Sequence, residues 1–400
     1  MNILFISDSQ PIPTHGGIAR VIYNLMQAFS KVGIDCNSAY FNKIDESIND
    51  GFTVQTELSA DNFIEELSRI INDRQIQIVL NCVIYKSNIQ RTLLSSSVLE
   101  NQNPNTKFVY CFHNYPGFES RTLPIRNIIA KMLYSQERWT ADFPLLCRSL
   151  SNTLCPGLTR KLLKNKYRVI TNHAQNIVLL SESYKRDLAK IVGMKEVPNE
   201  WIAIGNALSF SNNIELNENN KEKTVLIVSR MDEEQKRLSV ALKIWNELCL
   251  KYKVSDWKLV FLGEGIDRPV YEKIVAKKKI PNVFFEGRQD SLPYYIKSSI
   301  FMMTSAYEGF PMTLLETMQC GCVPIAFDSF SAINDLIENG ENGFIIDNGN
   351  NKRYIEHLYL LMKDTPLRKK MALSGMQSVQ QYSIENITQQ WYDLFDKLSV

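Results

Sequence analysis

Two carboxylates, Glu308 and Glu316, share the run Ser305-Ala-Tyr-Glu-Gly-Phe-Pro-Met-Thr-Leu-Leu-Glu316. The apolar stretch Ile300 to Thr304 before it reads as a strand, and Pro311 suits the first turn of a helix that stops at Gly321. On that reading Glu308 lies in the loop after the strand and Glu316 roughly two turns into the helix, with Gly309 and the N–H groups of Phe310, Met312 and Thr313 between them. A carboxylate accepts from ribose or hexose hydroxyls, and a helix N-terminus receives phosphate, so the run could grip one elongated ligand that carries both. The same two glutamates could merely complement the helix dipole.

Cations stand at an earlier strand end. Arg230 follows the run Thr224 to Ser229, and Lys236 precedes an amphipathic helix near Leu238 to Lys251. Fixed cations at one sheet edge can stabilise the charge that develops on a departing diphosphate; in an ordinary loop they would simply be solvated. Gly16 and Gly17 follow the first strand, Asn2 to Ser7, and precede a helix with Ile18, Val21, Ile22, Leu25, Ala28, Phe29 and Val32 on one face. They would let a ligand approach backbone N–H groups at the positive helix end, although a tight turn accounts for them equally and the G-x-G-x-x-G dinucleotide spacing is absent. His113 follows the run Phe108 to Phe112, as either a ligand-facing or a satisfied core histidine. No metal spacing joins it to His15, His173 or His357, and no Asp-x-Asp occurs, so no divalent ion is expected.

The elements that would position these residues alternate twice. Apolar runs at Asn2 to Ser7, Ile76 to Val83, Phe108 to His113 and Ile177 to Ser181 form one set. Thr224 to Ser229, Lys258 to Gly263, Val283 to Glu286, Ile300 to Thr304, Val323 to Phe327 and Gly343 to Ile346 form the other. Such alternation predicts α/β architecture with two Rossmann-like doubly wound domains facing across a cleft. Residues 1–206 are the expected first domain, the Asn-rich stretch 207–223 a linker with little to bury, and 224–380 the second domain. A helix within 381–400 is expected to pack back on the pair.

At 400 residues, 45 basic and 43 acidic side chains leave a formal charge of +2, which excludes a nucleic-acid binder by charge alone. The average hides a patch: residues 117–170 hold ten basic against three acidic side chains, with Leu133 and the aromatics Phe118, Tyr134, Trp139 and Phe143 interleaved. That segment is a candidate peripheral contact with anionic membrane, or an ordinary solvated helix face. Eight scattered cysteines without a C-x-x-C pair point to reduced thiols in a cytosolic chain, with the inner membrane face as the candidate site of association.

These motifs together resemble the retaining glycosyltransferases of family 4, the "glycosyl transferases group 1", whose GT-B fold pairs two Rossmann-like domains. The resemblance spans nearly the whole chain and rests on Gly16-Gly17, His113, Arg230 with Lys236, Gly263-Glu264-Gly265, Glu286-Gly287-Arg288 and the Glu308–Glu316 pair. It implies a hexosyltransferase that needs no metal or other cofactor and moves a hexose or N-acetylhexosamine from a nucleotide sugar, UDP-linked in preference to GDP-linked. The acceptor would be lipid-linked, glycan or protein, in cell-surface polysaccharide or glycolipid synthesis. By the resemblance Glu316 would bind ribose hydroxyls, Arg230 and Lys236 the diphosphate, and Glu308 with Gly309, Phe310, Met312 and Thr313 the sugar and phosphates. His113 would face the sugar, Gly16 and Gly17 the diphosphate, Arg288 the nucleobase, and Glu264 would mark a neighbouring loop. Ala207 and Pro311 stand where the family commonly has Gly. A nucleotide-sugar epimerase of this fold, or a non-catalytic partner subunit, are the alternatives.

Overall fold

The computed structural model describes residues 1–13, 17–44, 54–58, 62–83, 97–121, 125, 128–129, 132, 139–174, 176–210, 214–217 and 220–399. In chain order the first elements are β1 (Asn2–Ser9), α1 (Gly17–Lys31), β2 (Asp35–Asn42), β3 (Val54–Glu57), α2 (Phe63–Asp73), β4 (Ile78–Asn81), α3 (Ser97–Gln102) and β5 (Lys107–Phe112). They are followed by α4 (Trp139–Leu154), α5 (Pro156–His173), β6 (Asn176–Leu179), α6 (Glu182–Val192) and β7 (Trp201–Ala203). Next come β8 (Glu222–Val228), α7 (Glu233–Lys236), α8 (Leu238–Tyr252), β9 (Lys258–Leu262), α9 (Arg268–Lys278), β10 (Val283–Gly287), α10 (Leu292–Lys297) and β11 (Ser298–Met303). The chain closes with α11 (Met312–Gln319), β12 (Val323–Asp328), α12 (Ile333–Leu336), β13 (Phe344–Asp347), α13 (Asn351–Lys363), α14 (Thr365–Ser378) and α15 (Ile384–Ser399).

Every strand pairing is parallel, in sheets ordered β3-β2-β1-β4-β5-β6-β7 and β10-β9-β8-β11-β12-β13. Each sheet reverses its strand order once, beside its first strand, which is where doubly wound sheets open a crevice at the carboxyl ends of their strands. The chain divides into one unit of Met1–Pro116, Lys164–Ser209 and Gln381–Val400 and a second of Gly117–Leu163 and Phe210–Gln380.

In the first unit Phe29 on α1 anchors the core, its ring 6.1 Å from Phe5 and 5.5 Å from Phe395 of the C-terminal helix. Helix α15 therefore buries Ile387, Trp391, Leu394 and Phe395 within this unit. The apolar stripe of α1 is narrower than its spacing suggests, since Ile18 and Val32 are 37% and 54% exposed. Strand β2 has no apolar signature because it buries polar side chains; Asn37 Nδ2 donates to the Ile3 carbonyl at 3.4 Å. Strands β3 and β7, of four and three residues, were too short to leave a pattern.

In the second unit Trp245 is wholly buried among the β8, β9 and β11 side chains and donates its indole N–H to Pro281 O at 2.8 Å. Residues 117–163 group with this unit although their position in the chain suggests the first. The Phe118 ring lies 5.9 Å from Tyr307, and Arg148 pairs with Glu234. The stretch expected to be a solvated linker also enters cores: Ala207 and Leu208 are buried, and Leu216 packs against the second core. No helix among the described residues is long and apolar enough to cross a membrane.

Candidate functional site

The second sheet reverses between β8 and β11, and the residues singled out for chemistry leave those two strand ends. Arg230 and Lys236 follow β8; Glu308 follows β11. Lys236 Nζ donates to Glu308 Oε1 at 2.6 Å, with only 15% and 9% of the two side chains exposed. The second carboxylate oxygen accepts from Gln235 Nε2 at 3.2 Å, and Gln235 Oε1 accepts from Arg230 Nη2 at 2.9 Å. Two cations, an amide and a carboxylate thus form one chain of contacts. A small cleft beside it is lined by Ser229, Lys236, Thr304, Glu308 and Thr313. Helix α11 points its first turn toward this edge, where the amides of Met312 and Thr313 precede any possible intrahelical partner. Pro311 holds φ −72° ahead of that turn, and Gly309 and the buried Phe310 complete the loop.

Glu316 is 1% exposed, and Tyr295 Oη donates to its Oε2 at 3.0 Å.

The loop carrying the cations is itself held by buried charge. Glu233 Oε2 accepts from Ser239 N and Tyr271 Oη, each at 3.0 Å, while Asp267 Oδ2 accepts from the Glu233 backbone N–H at 2.8 Å. Burial pushes the Glu233 carboxyl above its ordinary range, against the hydrogen bonds that favour its ionised form. Arg237, at φ 51°, donates to the Thr304 and Ser305 carbonyls at 2.7 Å each, and so clamps the end of β11 to the loop. Burial pulls this guanidinium down to about 10. Sequence reasoning missed Gln235, Arg237, Glu233 and Asp267. The only signal for them was position, because all but Asp267 crowd around Lys236.

The Gly-Glu-Gly run has a packing reason. A Cβ at Gly263, where φ is +129°, would meet Ser229 O at 2.1 Å, and one at Gly265 would meet Met231 O at 2.4 Å. Glu264 turns aside to pair with Arg268, and Arg288 is exposed just after β10. In the first unit Gly17 opens α1 with empty space where a Cβ would stand, and Gly16 lies outside the described residues. His113 follows β5; its Nε2 is buried with no hydrogen-bond partner among the described residues. The neighbouring Cys82 thiol is held below its ordinary value, first by its hydrogen bond with Cys111 and, against burial, by His113.

Residues 211–377, within the second unit, match the family model for glycosyl transferases group 1. An uncharacterized glycosyltransferase of Haemophilus influenzae is 28% identical over 233 residues, covering 56% of this chain and 62% of that protein. The amylovoran biosynthesis glycosyltransferase AmsD of Erwinia amylovora is 28% identical over 235 residues, with the same 56% and 62% coverage. The chain therefore matches less than two thirds of either relative's length. The crystal structure of Anabaena HepE with UDP-glucose superposes at a TM-score of 0.69 with 15% identity, covering 99% of this chain and 100% of that one. The shared fold is GT-B, the two-sheet architecture expected above.

Proposed function

We propose that the protein is a retaining glycosyltransferase that moves a hexose or N-acetylhexosamine from a UDP-sugar to an acceptor hydroxyl in cell-surface polysaccharide or glycolipid synthesis. The observation that carries this reading is the Lys236–Glu308 contact at the switch point of the sheet, inside the residues that match the group 1 family model. A relative in amylovoran biosynthesis and a fold neighbour bound to UDP-glucose support the pathway class and the donor.

Arriving diphosphate would give Lys236 a phosphate counterion in place of the Glu308 carboxylate. Glu308 Oε1 is then available to the sugar hydroxyls, with Arg230 and the first amides of α11 on the phosphate oxygens. Glu316 takes the ribose hydroxyls. As the bond from the anomeric carbon to the diphosphate oxygen breaks, the two cations stabilise the charge left on that oxygen. The same oxygen takes the proton of the acceptor hydroxyl, whose oxygen bonds the anomeric carbon on the face the nucleotide leaves, so configuration is retained. Fixed cations serve where a divalent ion would otherwise bridge the phosphates.

Thermal melts with UDP, GDP, ADP and their sugars test the donor. A true donor nucleotide at a hundred times its Kd stabilises by about 2.7 kcal/mol. UDP is expected to raise the melting temperature most, and absence of any shift with all three nucleotides would refute the assignment. Product NMR then reads the anomer: inversion would reject the same-face mechanism.

A further inference from the structure

Glu316 stands three residues beyond Thr313 on α11, so the two project from the same side of the helix, and Thr313 lines the small cleft beside Lys236 and Glu308. A glutamate side chain turns about three bonds, and one that is to meet ribose hydroxyls binds better when its orientation is set beforehand. The group that sets it lies outside the helix. Tyr295 on α10, 21 positions earlier in the chain, is wholly buried and donates its hydroxyl to Glu316 Oε2 at 3.0 Å.

The tyrosine is itself held from several sides, all within the second unit. Its ring meets Phe210 edge-on with centroids 6.1 Å apart and lies 6.5 Å from Phe301, which also lines the cleft. Its backbone carbonyl accepts from Lys221 Nζ at 3.3 Å. The same ammonium donates to Ser298 O at 3.0 Å and Cys320 O at 2.9 Å, and so ties the end of α10 to the end of α11. Gln319 Nε2 donates to Phe210 O at 3.1 Å, so α11 also holds the ring that steadies Tyr295. Phe210 and Lys221 both come from the stretch 207–223, whose sequence suggests only a solvated connection.

We propose that Tyr295 is a positioning residue for ribose recognition: its hydroxyl, locked in place by Phe210 and Lys221, presets the Glu316 carboxylate so that the site takes a ribonucleoside diphosphate and rejects its deoxy analogues. A carboxylate free to turn away from a missing hydroxyl would bind a deoxy analogue almost as well, whereas a pinned one is left unpaired in a buried place. The proposal rests on the assignment of Glu316 to the ribose in the reading above. What it adds is the residue that sets the carboxylate; being wholly buried, Tyr295 acts through Glu316 alone.

Titration calorimetry of the full chain with UDP, 2′-deoxy-UDP and 3′-deoxy-UDP tests it. Wild type is expected to bind UDP about tenfold or more tighter than the weaker of the two deoxy analogues. Tyr295→Phe keeps the ring between Phe210 and Phe301 and removes only the hydroxyl, so the fold should survive. It should bring that ratio down to about twofold, through weaker binding of UDP with the deoxy analogue nearly unchanged. Tyr295→Phe/Glu316→Gln should discriminate no less than Glu316→Gln alone, because the hydroxyl acts through the carboxylate. A merely structural role would weaken all three ligands alike and leave the ratio as in wild type, which overturns the proposal. So does a further loss of discrimination in the double variant. Wild type that binds UDP and both deoxy analogues equally removes the ribose role of Glu316 and this proposal with it, while the donor reading stands. No binding of UDP by wild type refutes both.

Discussion

Replacing Lys236 with alanine would take the ammonium partner from the Glu308 carboxylate, 9% exposed, while Gln235 still donates to it. At the observed 2.6 Å the gross attraction of the pair is about 6 kcal/mol at an effective dielectric of roughly 20. Desolvation of two charges offsets much of it, yet removing one partner exposes the full cost of the other, about 3 kcal/mol or more. Lys236→Ala should therefore lower the melting temperature by roughly 6 to 12 °C for a unit of this size. Lys236→Met/Glu308→Gln removes both charges and should recover most of that loss, giving a coupling of about 1.5 kcal/mol or more in a double-mutant cycle. Transfer from the donor should fall by about 10² or more in both variants, because the recovered stability does not restore the cation. Urea unfolding at low and high salt supplies the stability arm, and initial transfer rates the other. Coupling below about 0.5 kcal/mol would show that the two side chains are independently solvated and sink the electrostatic reasoning. Near wild-type transfer by the stable double variant would sink the functional assignment.

Three other outcomes follow from the same geometry. Turnover should survive EDTA, since fixed cations are assigned the metal's role; loss restored by magnesium or manganese would reject that assignment. The folded-state value of Glu233 is raised by burial, so above the ordinary value of 4.5 the folded protein holds its proton more tightly than the unfolded chain. Stability from this group accordingly falls as pH rises through that window. Glu233→Gln, which can still accept from Tyr271 and Ser239 N, should flatten the fall in urea midpoint as pH rises above 4.5; an unchanged slope would assign it elsewhere. Gly263→Ala puts a Cβ 2.1 Å from Ser229 O at φ +129° and should cost about 3 kcal/mol or more, whereas Gly349→Ala, at φ +87° with open space around it, should cost only about 1 kcal/mol. Equal midpoints for the two variants in denaturant titration would show that backbone crowding behind the Gly-Glu-Gly run is not the reason for its glycines.

Apolar periodicity by itself determined the two α/β halves, because strands covered on both faces must be solidly apolar and the helices between them must carry a stripe. The run from Ser305 to Glu316 likewise declared a carboxylate after a strand and a helix start after the carboxylate, since chain order alone puts residues at the carboxyl end of a parallel strand. Strand β2 was hidden because Asn37 and Ser38 are buried, and polar burial leaves no hydropathy signal. Whether Lys236 reaches Glu308, 72 positions away in the chain, was decided only when β8 and β11 came together as neighbours at the switch point. Gln235 and Arg237 owe their roles to that same pairing, and Glu233 to the β8–β9 pairing that brings Asp267 and Tyr271 beside it, because long-range partners are invisible until a sheet order is chosen. The membership of residues 117–163 and of helix α15 was likewise settled by contact rather than by position in the chain: Phe118 found Tyr307, and Phe395 found Phe29. Sequence supplies the groups and the local elements that hold them; which groups then share a site depends on which strand ends become neighbours, a choice made by burial across the whole sheet.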